Sequence, residues 1–140
     1  MTTIWFMTWE LFPRTKKQKN ADRAERSQAK GAVAEDIYDT RAMLNGNATR
    51  RRNQQEGGFD RYTTRTDILG RPVGKTYHDE IKSSDKLSLS RRQKQQEATD
   101  PNFRRVNINL DEIPGSSVLI NGEILRRRYA KMKPDDLLGF

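Results

Sequence analysis

Val106, Ile108 and Leu110 alternate with asparagines, the only strict period-two pattern in the chain. Such alternation predicts a half-buried strand. Val118-Leu119-Ile120 and Ile124-Leu125 follow, separated by a stretch that contains Asn121-Gly122. An Asn-Gly pair between apolar runs is a strong hairpin signal, because both residues tolerate positive φ. The second arm has two readings. Val118–Ile120 suits a strand, whereas Ile124, Leu125, Arg128, Tyr129 and Met132 recur at helical spacing, so Ile124–Lys131 suits a helix.

Upstream, Asn20–Leu44 is rich in Ala, Glu, Lys, Arg and Gln and stops at Asn45-Gly46-Asn47. That composition and ending predict a helix with a left-handed C-cap. Its apolar stripe is narrow: Ala29, Val33, Ile37 and Leu44, flanked by Ala34 and Tyr38. Thr49–Asp100 has isolated apolar residues between turn formers and reads as extended and loop-rich. Within it, Ser83-Ser84-Asp85 is a candidate cap for a short polar helix through Arg91, Gln93 and Gln96.

The first twelve residues, MTTIWFMTWELF, include 8 hydrophobic ones. That is too short a run to span a bilayer, and it lacks the basic start and cleavage site of a signal peptide. On a helix, Trp5, Trp9 and Phe12 would share one face. This segment is read as an anchor for a partner protein, with completion of the chain's own core or a membrane interface as alternatives. Four segments result: an apolar aromatic anchor (1–13), a polar helix (14–45), an extended basic linker-like region (46–102), and a small α+β knob with a docking tail (103–140). The expected fold class is α+β and largely extended and irregular. It comprises one N-terminal amphipathic helix, a long loop-rich middle and a small C-terminal β-hairpin plus helix, rather than a compact globule.

Composition supports the thin core. Hydrophobic and charged residues each make up 33% of the 140 residues, and mean hydropathy is −1.01. Such a chain buries little apolar surface against the entropy of ordering it. The formal net charge of +8 favours anionic partners. Its arginines are clustered: Arg50-Arg51-Arg52, Arg91-Arg92 and Arg126-Arg127-Arg128 are candidates to grip phosphate or an acidic surface. The absence of cysteine excludes disulfides, thiolate metal sites and cysteine nucleophiles.

Two motifs point to chemistry only superficially. Gly70-Arg71-Pro72-Val73-Gly74-Lys75-Thr76 has three residues between its glycines where a phosphate-binding loop needs four, and it reads as a turn. The only histidine, in His78-Asp79-Glu80, has no second histidine or cysteine to complete a metal site and reads as a solvated loop residue. No catalytic pair, cofactor site, metal site or small-molecule site is nominated.

Asp135-Asp136-Leu137-Leu138-Gly139-Phe140 resembles the short peptides that dock replication clamps and the acidic tails of single-strand-binding proteins. The resemblance covers six residues, and Asp135 stands where the clamp motif usually has glutamine. It implies docking to another chain, with Leu137, Leu138 and Phe140 as plugs; the alternative is that these three pack back on the C-terminal hairpin of the same chain.

Apolar ends around a basic, poorly packed middle lead to an expectation of a non-enzymatic subunit of a large assembly. A small phage virion protein (capsid, connector, tail or internal) held by partner chains is preferred. A nucleic-acid-binding or replication-accessory factor, or a ribosome-associated protein, is the alternative. The expected location is a virion or intracellular assembly, without a signal peptide or membrane span.

Overall fold

The computed structural model describes residues 13–53 and 57–132. Helix α1 runs Lys16–Leu44 and starts one turn earlier than the composition suggested. The reason is a capping box: the Thr15 hydroxyl accepts from the Gln18 amide at 3.1 Å, and the Gln18 side chain accepts from the Thr15 amide at 2.9 Å. At its far end Gly46 takes φ +78°, the left-handed conformation that ends a helix and suits glycine. Ala29, Val33, Ala34, Tyr38 and Ala42 are its buried residues. Leu44, expected in that stripe, is exposed. It sits beside the cap, where the chain turns away.

The middle of the chain is not linker-like. It forms strands β1 (Asn47–Arg51), β2 (Arg61–Thr66) and β3 (Pro72–Lys82), then helix α2 (Arg91–Thr99). Strand β4 (Phe103–Asn107) completes a four-stranded sheet of order β1-β2-β3-β4. The first two pairings are antiparallel and the last is parallel, with α2 in the crossover. The sheet thus joins residues from both sides of position 102.

Strand alternation divides the sheet into two faces. Arg61, Thr63 and Asp79 point at α1, with Arg61 bonding Asp39 and Tyr38 bonding Thr63 and Asp79. Tyr62, His78 and Glu80 lie on the opposite face, where α2 reaches Glu80 through Gln93. Polar side chains fill much of the buried surface between β2 and α1, so no hydrophobic period marked these strands.

The C-terminal hairpin is also corrected. Ser116–Lys131 is one helix, α3, opened by Gly115 at φ +79°. Val118–Ile120 and Asn121-Gly122 are helical. Ile120 is buried and Ile124 packs beside it, so helical spacing, not the Asn-Gly signal, decides this segment. The expected strand ends at Asn107; Ile108 and Leu110 are nevertheless core residues, Leu110 from a short 3-10 turn at Leu110–Glu112. The short polar helix is α2, but its cap is Ser90, not Ser83-Ser84-Asp85. Its Gln93 returns the bond. Gly70 lies in the β2–β3 turn, which is closed by the Asp67 side chain accepting from the Leu69 and Arg71 amides.

The hub of the α1-facing side is Asp79, 0% exposed. It accepts from Arg104 Nε at 2.7 Å, from Arg104 Nη2 at 2.8 Å and from the Tyr38 hydroxyl. Burial and the bond to Asp79 push the Tyr38 phenol up to about 12, so it stays a donor. Asp79→Ala should lower unfolding free energy by about 3–5 kcal/mol, because it removes hydrogen bonds to a charged acceptor from both Arg104 and Tyr38 and leaves the buried Tyr38 hydroxyl without that acceptor. Tyr38→Phe should cost about 1–3 kcal/mol. Urea denaturation of both variants checks the order.

Candidate active site

On the α2-facing side β3 places Glu80 and Lys82 side by side, because residues two apart on a strand share a face. Ile81 between them turns into the core. Glu80 is 3% exposed. One of its oxygens accepts from Gln93 Nε2 at 2.5 Å and lies 3.5 Å from Lys82 Nζ. The other, Oε2, is buried and meets no donor group, and the acid side chains of Glu80 and Asp60 are hydrogen-bonded to each other. Gln93 ties the group together: its Oε1 accepts from Lys82 Nζ at 3.0 Å and from the Ser90 amide at 2.7 Å. Gln93, the capping-box partner of Ser90, therefore anchors α2 on the acid and the amine.

Asp60 enters from the start of β2. Its amide donates to the Asp79 carbonyl at 2.9 Å, and its Oδ2 accepts from the Ile81 amide at 2.9 Å. Burial and then the like charge of Asp60 push the Glu80 carboxyl up to about 8, against the pull of Lys82. Burial and then Asp60 also raise Glu35 on α1, which Arg61 partly offsets. Asp60 is thus the charge common to both glutamates. A cleft of about 210 Å³ opens beside it, lined by Glu35, Arg51, Arg52, Asp60 and Arg61. Arg61 is fixed by Asp39 and Glu35, and Arg52 donates to the Phe59 and Asn53 carbonyls.

The arginines nominated from sequence separate into two sets. Arg51 and Arg52 line this cleft. Arg50 lies over the Tyr62 ring, 4.1 Å from its centroid. Arg91 and Arg92 are in the first turn of α2. Gly58 packs against the Arg92 carbonyl, and Arg52 Nε donates to the neighbouring Phe59 carbonyl. The structure therefore brings the first two clusters to one end of the sheet. The third is on α3, where Arg126 and Arg127 bond Glu123, and Arg128 bonds Glu25. Trp5, Trp9, Phe12, Leu137, Leu138 and Phe140 lie outside the described residues.

His78 is a strand residue, not a solvated loop one. It stacks on Phe59 at 4.6 Å and pairs through Nδ1 with Asp100. Sequence reading passed over Asp60, Glu80, Lys82, Gln93 and Glu35. The available signal was acid–apolar–lysine over Glu80-Ile81-Lys82, which has meaning only once this segment is known to be a strand.

Among the described residues, no three or more His, Asp or Glu side chains already surround a metal position. Two acids, an amide and a lysine remain, and magnesium is commonly held by one or two carboxylates with water and substrate oxygens. No helix among the described residues is long and apolar enough to cross a membrane. No family model matches the chain, and no curated protein or solved structure is significantly similar to it.

A carboxyl raised on folding binds its proton more tightly folded than unfolded. Its contribution is therefore retained at low pH and lost as pH rises from the ordinary glutamate range through about 8. Glu80→Gln should raise the melting temperature more at pH 8.5 than at pH 5, a difference that thermal melts at the two pH values will read.

Proposed function

We propose that this protein hydrolyses phosphodiester bonds in nucleic acid with the help of a divalent cation held by Asp60 and Glu80. The observation that carries this reading is the Glu80 carboxyl: buried, hydrogen-bonded to Asp60 and 3.5 Å from Lys82. Two acids brought together in the interior cost folding free energy. Such strain concentrates at sites that need it for chemistry. A cation there would neutralise charge on the phosphate and make a bound water more acidic.

Each remaining role follows from position. Asp60, just ahead of β2, and Glu80 on β3 would supply the oxygens that hold the cation. Lys82 holds the attacking water, or the negative charge that grows on the phosphate, through its ammonium hydrogens. Gln93 orients Lys82 and Glu80. Arg51 and Arg52 in the cleft lining receive the flanking phosphates, and the net charge of +8 draws the polyanion in. Water adds to phosphorus, the bond to the leaving oxygen breaks, and that oxygen takes up a proton.

A second reading keeps the expectation of a non-enzymatic subunit of a large assembly, a virion protein among the options. It is favoured by apolar side chains left in solvent on α3 (Val118, Leu125 and Tyr129) and at the end of α1 (Met43 and Leu44). The two readings part on catalysis. Incubation with plasmid DNA and with structured RNA should give chain cleavage in Mg²⁺ or Mn²⁺ and none in EDTA. Glu80→Gln, Asp60→Asn and Lys82→Ala should each reduce the rate by about a hundredfold or more, a typical loss for a group acting on the reacting atoms. Arg51→Ala should act mainly through KM. No cleavage of either polymer with either cation, or a Glu80→Gln variant as fast as the parent, would overturn the hydrolytic reading.

A further inference from the structure

Helix α3 is held on one side only. Ile120, Glu123, Ile124 and Arg127 face the rest of the fold, while Val118, Leu125, Tyr129 and Met132 lie on the opposite side, 72%, 64%, 63% and 48% exposed. With Gly122 these positions recur at alternating intervals of four and three, which makes a continuous helical stripe. Gly122 leaves a notch in it, since nothing lies within 4 Å of where its Cβ would be. An open groove of about 630 Å³ runs along Gly122, Leu125, Tyr129 and Met132, with Arg126 and Arg128 as its borders.

We infer that this groove is covered by residues 135–140 of the same chain, folded back along α3. Charge selects the occupant. Arg126 and Arg127 share Glu123, Arg128 pairs with Glu25, and Lys131 adds a further cation near the groove's end. Positive charge therefore remains in excess there, and the complement is acidic at one end and apolar beyond. Asp135-Asp136-Leu137-Leu138-Gly139-Phe140 has that order. The aromatic segment at 1–12 carries one acid, Glu10, and lacks the complement. A second copy of α3 would set arginine borders against arginine borders.

Reach agrees. The chain leaves α3 at Met132 in an extended conformation, φ −71° and ψ 139°. Proline two residues later cannot continue the helix and favours the second position of a reverse turn. From Asp136 to Phe140 an extended chain advances about 13 Å, at about 3.3 Å per residue. From Met132 back to Gly122 the helix advances about 15 Å, at about 1.5 Å per residue. The aspartates then meet Arg128 and Lys131, the leucines cover Tyr129 and Leu125, and the Phe140 ring arrives at the Gly122 notch. This inference does not depend on the hydrolytic reading.

The natural absence of cysteine makes a crosslinking test clean. A Leu125→Cys/Gly139→Cys protein retains the three apolar plugs. Its reference has the same two cysteines with Leu137, Leu138 and Phe140 replaced by serine. Under mild oxidation at micromolar protein, the first should form an intramolecular disulfide at least tenfold faster than the reference, and it should stay monomeric on a non-reducing gel. Equal rates would mean that the tail does not rest on α3. Disulfide-linked dimers would mean that it rests on another copy. Either result overturns the inference.

Discussion

Asp79 is the interaction on which the rest of the protein depends. Its carboxylate, wholly removed from solvent, collects Arg104 from β4 and Tyr38 from α1, and Tyr38 in turn holds Thr63 of β2. A buried charge left without these partners would be strongly unfavourable, so the three strands and the helix are bound to one arrangement. Its backbone takes part as well, because the Asp79 carbonyl accepts the Asp60 amide. Two neighbouring carboxylates thus have opposite duties. Asp79 is saturated with donors and fixes the fold. Glu80, forced by strand alternation to the other face, is pressed against a second acid, Asp60, and hydrogen-bonded to it.

The precision of the site follows from that pin. Asp60 is held at both its amide and its carboxylate, the second by the Ile81 amide in the middle of Glu80-Ile81-Lys82. Any slip of β3 against β2 by one residue would exchange the faces of Asp79 and Glu80 and bury Lys82 against α1. Register and chemistry are therefore one constraint. Gln93 adds to it, since it closes its own helix and positions the acid and the amine with the same side chain.

How much of this was legible depends on which side chains fill the interior. Helix α1 was visible because propensity and a glycine stop act locally. The mixed α+β class was visible too. The strands β1 to β3 were not, because their buried positions include Arg61, Thr63, Asp79 and Glu80, which look like surface residues until their partners are known. With the strands hidden, the shared face of Glu80 and Lys82 was hidden too, and the site with it. Asn121-Gly122 misled in the opposite direction. A glycine within a helix costs only about 1 kcal/mol relative to alanine, and the burial of Ile120 and the packing of Ile124 outweigh that local preference.

The arginines show the same dependence on context. A basic cluster in a sequence suggests a polyanion, yet Arg61, Arg104, Arg126, Arg127 and Arg128 all end in pairs with carboxylates of this chain. Their forks serve the fold, although on α3 two arginines share the single Glu123. Arg51, Arg52 and Arg61 line one cleft together with Glu35 and Asp60. Guanidiniums and carboxylates that share so small a space offset one another, and Arg61 is already committed to Glu35 and Asp39. The pull of such a cleft on a phosphate is therefore set by the balance of its lining charges, not by the number of arginines in the sequence.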